Sequence, residues 1–403
     1  MRETPRTTPA PARVLILAVA IFLVGAGLSV AVICSGGDCQ ELRQETATQP
    51  GVDFEPGEPI QEFGYFYRPP VDVDADALVE RYDEFILTMT DESLRDALHA
   101  RGHEQPVLQY IAAEAIQEPP EYGPWPSQVA FRDDDWQYIA DNHSDWFLYD
   151  EDGELLYADP PDDADGKAVL MDPGNEEWRA FFVERLTEMQ EEHGWHGVFL
   201  DNLEASLRKR ERVSGIPERY PTDEAYREAV EDFVRYVREE FADPEGVPLH
   251  ANIIDARESN SDVWHRYMQY LDGAMREGWA VGWEDGQYRS EEEWEAELDL
   301  VEDTRADGGE ILLVAMGSEE NETRQQFAYG SYLLVADEGV TFRYTHHEQY
   351  NESWYYDNYD IDLGAPQGER YEQSDGRWRR DFENGHVVVD PVAHEAEISL
   401  DNS

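Results

Sequence analysis

Positive charge is what this sequence has least of: 31 Lys and Arg stand against 90 Asp and Glu, for a formal charge of −59. Phosphate backbones are held by clustered cations, so nucleic acid is a poor partner for such a chain. Cysteine is nearly absent. Its only two copies, Cys34 and Cys39, lie next to the apolar N-terminal segment, which excludes a thiolate metal site or a cysteine nucleophile in the main domain. No HExxH spacing occurs among the 11 His, and the closest pair is His346-His347, so a zinc site is not expected. The acidic loop 133-DDDW-136 has the composition of a Ca²⁺ loop, a signal that carries little weight in so acidic a chain. We therefore expect neither a metal nor a cofactor. No GxSxG elbow offers a serine nucleophile a seat.

Aromatic and apolar residues, by contrast, are plentiful. Hydrophobic residues make up 41% and aromatics 12%, including 11 Trp and 22 Tyr, which is enough for a large core. The acids are spread between well-formed apolar segments instead of being gathered in a tail. That pattern reads as a solvated acidic shell, as in proteins of salt-loving organisms, where ionic strength screens the self-repulsion. A carboxylate in this chain is by default a surface group, and any acid singled out for chemistry has to be argued against that default.

The N-terminus carries Arg2, Arg6 and Arg13 and then 14-VLILAVAIFLVGAGLSVAVI-33, twenty uncharged residues. The length is that of a transmembrane helix, and the basic flank favours an inside N-terminus. A membrane anchor is preferred over a cleaved signal, and the rest of the chain is expected outside the cell. Residues 1–34 form this segment. Residues 35–59, polar and rich in Gly and Pro, read as a linker.

From residue 60 short apolar segments alternate with amphipathic helices. The predicted strands are 63-FGYFY-67, 107-VLQYIA-112, 146-WFLY-149, 197-GVFLD-201, 248-PLHANII-254, 272-DGAMREGW-279, 310-EILLVAM-316 and 340-VTFRY-344. Helices are predicted at 176–194, 223–241, 291–306 and 321–337. Eight strands alternating with helices over residues 60–350 predict an α/β fold, a (β/α)8 TIM barrel. The rival, a doubly wound open sheet, wants a glycine-rich turn after the first strand, where 64-GYFYRPP-70 offers aromatics and prolines. Region 117–165 reads as an aromatic insertion. Residues 351–403, with turn signals at DG and NG, predict a small C-terminal β appendage.

Chemistry in such a barrel collects at the C-terminal ends of the strands. Asp201 follows Val198-Phe199-Leu200 at the end of strand four, and Glu277 ends strand six with Trp279 beside it. Two carboxylates facing each other across a pocket are the machinery of glycoside hydrolysis, one attacking or stabilising the anomeric carbon and the other protonating the leaving oxygen. The neighbours suit a sugar: Tyr65 and Tyr67 after strand one, Tyr110 and Glu114 after strand two, Asn202, Asn252 after strand five, and Arg343 in strand eight. Each has a bland reading as well. Tyr67 is as well placed for rim packing, Arg343 for neutralising a carboxylate, Asn202 for tying its own loop, Glu277 for a salt-bridged corner, and Glu204 for plain solvent. Whether Glu114 or Glu204 takes the acid's place is left open.

The segments 197-GVFLDN-202, 273-GAMREGW-279 and 360-DIDLGAPQGERYEQSDGRWRRDFENGHVVVDP-391 together resemble glycoside hydrolases of the TIM-barrel superfamily whose relatives include endo-α-1,4-polygalactosaminidase-like proteins. The likeness spans roughly residues 60–392. It departs from the family pattern at His196, where an Asp often precedes the Gly, and at Asp390, where the pattern has Asn. The resemblance implies Asp201 as nucleophile, Glu277 as general acid/base, and retention of configuration. The expectation is a membrane-anchored extracellular glycoside hydrolase acting on a poly- or oligosaccharide. The alternative is a non-catalytic barrel that binds surface polysaccharide or an envelope partner, since one fold hosts both.

Overall fold

The computed structural model describes residues 61–67, 74–118, 126–159, 167–256 and 261–401, together with the short strands Val30–Ser35 and Asp38–Arg43. The chain divides into two units, Met1–Pro56 and Gly57–Ser403. In the first, the two short strands pair antiparallel and place positions 34 and 39 opposite each other. The expected membrane span 14–33 lies outside the described residues except for its last four, which run in a strand and not in a helix. No helix among the described residues is long and apolar enough to cross a membrane.

In the second unit eight strands close a parallel barrel: β1 Glu62–Phe66, β2 Glu84–Leu87, β3 Leu108–Ala112, β4 Val198–Glu204, β5 Leu249–Ile254, β6 Gly273–Glu277, β7 Glu310–Met316 and β8 Val340–Thr345. They follow one another around the barrel in chain order, β8 pairing β1 and β5 pairing β6. The expected count of eight holds, through two compensating differences. The run 146-WFLY-149 is not a barrel strand. Trp146 closes a short 3-10 turn, and Phe147 and Tyr149 make isolated antiparallel bridges inside the long β3-to-β4 crossover. Its residues 146–148 are buried, and burial is all that an apolar run reports. The missing strand is 84-EFIL-87, four residues long and separated by only Tyr82 and Asp83 from the helix Ala75–Arg81, too short to stand out by periodicity.

The helices form where caps and apolar stripes agree. Glu176–His193 starts on Asn175, whose side chain accepts from the backbone N–H of Glu177 and Trp178, and stops on Gly194 at φ 68°. Its buried face carries Trp178, Phe181, Phe182, Leu186 and Met189, each worth about 1.5–3 kcal/mol of burial. Glu291–Ala306 opens on a capping box between Ser290 and Glu293. Beyond the barrel, β9 Tyr371–Glu372, β10 Trp378–Asp381, β11 Gly385–Asp390 and β12 Glu395–Leu400 form the expected antiparallel appendage. It lies on the helix Glu322–Val335 so closely that a Cβ on Gly330 would sit 2.5 Å from the Ala396 Cβ.

Inside the barrel Phe66, Ile86, Leu108, Phe199, Met275, Leu312, Val314 and Met316 form one buried cluster, with Tyr110 and Tyr350 packed against it. Strand alternation then decides what stands one rung higher. Two residues on from Leu108 is Tyr110, from Phe199 is Asp201, and from Met275 is Glu277. The apolar layer is thus a floor, and the polar residues rise from it toward the C-terminal mouth.

Candidate active site

That mouth holds a pocket of about 630 Å³. Phe66, Ile86, Phe199 and Met275 make its floor, Tyr67, Tyr110, Asp201, Asn252, Glu277 and Tyr350 its polar wall, and Trp283, His347, Glu348 and Asn351 its outer edge. The size is ordinary for a small-molecule site, within the rough 300–1,000 Å³ range.

Asp201 owes its aim to a break in the strand. Between Leu200 and Leu203 the pairing of β4 with β5 slips by one residue, and Asn202 within that bulge takes the left-handed conformation at φ 64°. A bulge of this kind re-aims one side chain at the end of a strand. Asn202 then turns back on Asp201, its backbone N–H donating to Oδ1 at 2.9 Å and its Nδ2 to Oδ2 at 3.2 Å. The Tyr110 hydroxyl also donates to Oδ2, and Asn252 Nδ2 to Oδ1 at 3.0 Å. Four donors thus point at this carboxylate. Tyr67, at φ 59°, stacks on Tyr110 with ring centroids 4.4 Å apart. Asp255 and Ala280, after β5 and β6, are left-handed too, at φ 60° and 54°. Backbone strain of roughly 1–3 kcal/mol per residue gathers at functional rims, where packing holds it in place.

Glu277 sits opposite. Asn252 Nδ2 donates to its Oε2 at 2.9 Å and the Tyr350 hydroxyl to its Oε1 at 2.5 Å. Burial and then the charge of Asp201 push the Glu277 carboxyl above its ordinary range. The hydrogen bonds from Tyr350 and Asn252 and the ammonium of Lys209 pull the other way without cancelling that. The pair is therefore unequal: one carboxyl is surrounded by donors, while its partner is inclined to keep a proton. That inequality is what an acid and a nucleophile need.

Neither of the two open alternatives for the acid lines the pocket. Glu204 is locked in a buried ion pair with Arg210, Arg210 Nε donating at 2.8 Å, with both side chains at most 1% exposed. Glu114 is not part of the pocket wall. Its Oε2 is buried without a hydrogen-bond partner, and burial pushes its carboxyl up to about 8 against the pull of Lys209 and Arg210.

Of the residues expected to touch substrate, Tyr67, Tyr110 and Asn252 line the pocket with the two acids. Asn202 serves Asp201 from behind. Tyr65, Trp279 and Arg343 are placed differently from expectation: Tyr65 and Trp279 are fully buried and Arg343 is 4% exposed, all outside the pocket wall. Tyr65 points away because it neighbours the inward Phe66, and strand neighbours face opposite sides. Arg343 lies over the Tyr65 and Tyr350 rings at 4.7 and 5.2 Å. It donates to the carbonyls of Phe66, Tyr350 and Glu352 at 2.7, 2.8 and 3.0 Å, so it fastens the Tyr350 segment to β1. Tyr350 and Trp283, both in loops after strand ends, are pocket residues that sequence reasoning missed. Among the described residues no group of three or more His, Cys, Asp or Glu could hold a metal ion. In the 133–136 loop Asp135 is taken by Arg185 at 2.9 Å.

The likeness to solved structures is distant. The glycoside hydrolase domain of PelA from Pseudomonas aeruginosa is 17% identical, with a TM-score of 0.44 over 73% of this chain and 97% of that one. The α-galactosidase of Thermus thermophilus is 14% identical, with a TM-score of 0.43 over 84% and 68%. A maltogenic α-amylase, AmyB of Thermotoga neapolitana, is 12% identical, with a TM-score of 0.44 over 82% and 86%. No curated protein matches the chain. At the level of families, residues 107–386, more than half of the chain and including both acids, match the profile of hypothetical glycosyl hydrolase family 15. The chain belongs to that family, and its chemistry is glycoside hydrolysis.

Proposed function

We propose that the protein is a retaining glycoside hydrolase in which Asp201 attacks the anomeric carbon as Glu277 protonates the leaving oxygen, after which Glu277 takes a proton from the water that displaces Asp201 and frees the sugar. The observation that carries this reading is the shared amide of Asn252, whose single Nδ2 lies 3.0 Å from Asp201 Oδ1 and 2.9 Å from Glu277 Oε2. Acceptors on the two hydrogens of one planar amide nitrogen stand about 5 Å apart. Retaining enzymes hold their carboxyls at roughly 5–5.5 Å and inverting ones at roughly 6.5–9.5 Å, the latter to admit a water between them. The roles follow from the surroundings. Asp201 is aimed by four donors. Glu277 is raised by burial and by Asp201, as suits a group that must deliver a proton near neutrality.

On this reading the substrate is a poly- or oligosaccharide outside the cell, and the N-terminal apolar segment 14–33 with its basic flank takes the catalytic unit there and holds it at the membrane. The acidic surface keeps the protein soluble in concentrated salt.

The test is a glycan and aryl-glycoside panel in molar salt with the full chain beside Asp201→Asn and Glu277→Gln, reading the first-formed anomer by NMR. Release of product with retained configuration by the wild type alone is expected. Inverted product, or full activity in Asp201→Asn, would overturn the assignment.

A further inference from the structure

We propose that Trp283 and His347 form an outer subsite that stacks a second ring of the substrate, so that the enzyme recognises a chain of sugars and not one terminal residue. The inference rests on the glycosidase reading and extends it to the length of the ligand.

Tryptophan is normally buried in this molecule: Trp178, Trp195, Trp264, Trp279 and Trp294 are each less than 2% exposed. Trp283 is 41% exposed and stands at the pocket that holds Asp201 and Glu277. An exposed indole on a mobile loop would mean little, but this loop is pinned. Arg324, itself fully buried, donates to the carbonyls of Gln287, Gly282 and Glu284 at 2.5, 2.7 and 3.1 Å, and its Nε donates to Met316 at 2.6 Å. The hairpin closes on itself through Gly282 N–H to the Gln287 carbonyl at 3.1 Å. A Cβ on Gly282 would meet the Gln287 Cβ at 2.3 Å, so a side chain there would push the turn apart. One buried guanidinium thus holds both ends and the middle of a six-residue turn and ties it to the end of β7.

The indole is also backed. Its ring lies 5.7 Å from that of His347 at 29°, and His346 packs in turn on His347 at 4.3 Å. The buried Nδ1 of His347 has no hydrogen-bond partner. Glu348 and Asn351 stand beside this pair at the edge of the same pocket. An apolar ring face with polar groups at its margin fits a pyranose, whose C–H face is apolar and whose hydroxyls radiate from its rim. Because the platform is already rigid, binding orders few additional groups, which is how an exposed aromatic becomes a strong contact. The ligand class is an oligo- or polysaccharide with one ring between the carboxyls and a neighbour on Trp283.

The test uses full-length Asp201→Asn, which binds without turnover, titrated in molar salt by calorimetry with cello-, malto-, chito- and galacto-oligosaccharides of one to six rings. In at least one series affinity should climb by about tenfold or more with the second or third ring. Adding Trp283→Ala should remove that increment, while Trp283→Phe should keep most of it. An increment that survives Trp283→Ala, or the absence of any length dependence in every series, overturns the subsite. Aryl monoglycosides tell the two readings apart. Their hydrolysis by the wild type, with no length effect in any binding series, would leave the glycosidase standing alone. Trp283-dependent binding without hydrolysis of anything by the wild type would leave the subsite and remove the enzyme.

Discussion

Asp201 and Glu277 accept from the same nitrogen: the amide of Asn252 gives one hydrogen to each carboxylate, at 3.0 and 2.9 Å. Asn252 is 4% exposed and opposes Met275 in the register of β5 with β6. A neutral double donor between two acids fixes their separation and moderates their repulsion without adding a charge that would collapse onto either one.

Removing this amide should therefore change the pH profile as well as the rate. Asn252→Ala takes away a hydrogen bond that lowers the Glu277 pKa. The acid then holds its proton to higher pH, and the basic limb of kcat/KM moves upward. We expect kcat to fall about 100-fold from lost positioning, with the shift read from rates between about pH 5 and 9. A fall in rate with an unmoved basic limb would show that Asn252 does not act on Glu277.

Tyr350→Phe provides a milder version of the same experiment. It deletes the hydroxyl that donates to Glu277 Oε1 at 2.5 Å but leaves the ring against the core and against Arg343. The expected result is again an upward shift of the basic limb, with a stability loss of about 1 kcal/mol or less, because the phenol oxygen leaves together with its own hydrogen. Urea titration in molar salt beside the pH profile separates the two effects.

Arg343 should matter for stability before it matters for binding. Its guanidinium satisfies three carbonyls in a site 4% exposed to solvent. Arg343→Met keeps the volume but strands those carbonyls, at a cost of about 2–4 kcal/mol. The released Tyr350 segment should raise KM less than it lowers the unfolding midpoint. Equal stability of the variant and the wild type would refute the fastening role.

At the opposite end of the barrel, pH should control stability through Glu62. Burial, followed by the charge of Asp83, raises its carboxyl to about 7 from an ordinary 4.5. A folded pKa above the unfolded one means stability that is fully present below about pH 4.5 and is lost as pH rises through about 7. Glu62→Gln keeps an acceptor for the Gly339 N–H, which bonds Glu62 Oε2 at 3.0 Å, and removes the charge. It should gain about 1–3 kcal/mol on the wild type at about pH 8 and little at about pH 4.5. Denaturant midpoints at the two pH values check this. At that same end His250 lies between Glu84 and Glu310, 3.5 Å from each, and its raised pKa acts in the same direction. The difference between variant and wild type, and not the slope of either, is the diagnostic quantity.

How much of this is legible in the sequence differs from element to element. The stretch 197-GVFLDN-202 reads in full as a buried strand whose closing acid lines the pocket, because an acid that closes an apolar barrel strand is carried to the mouth by the strand itself. Glu277 is legible by the same rule on 272-DGAMREGW-279. The four-residue strand 84-EFIL-87 is not, since so short a segment has no periodicity of its own, and 146-WFLY-149 imitates it because burial leaves the same trace as a ladder. Tyr65 and Tyr67 look equivalent in sequence, yet one is buried outside the pocket and the other lines it, a matter of side-chain alternation and of a left-handed turn at residue 67.

The sequence by itself determined the barrel, the C-terminal sheet and the strand ends that carry Asp201 and Glu277, because each depends on local pattern: alternation, caps, turn residues, and an acid where an apolar strand ends. Only the tertiary structure decided which polar groups meet. Asn252 between the acids, Tyr350 on Glu277, Arg343 beneath Tyr350, and Trp283 on a turn held by Arg324 are contacts between residues that different elements carry. Closing eight strands into a ring brings distant strand ends to one mouth, and no local pattern encodes which side chains will then lie within hydrogen-bond reach of one another.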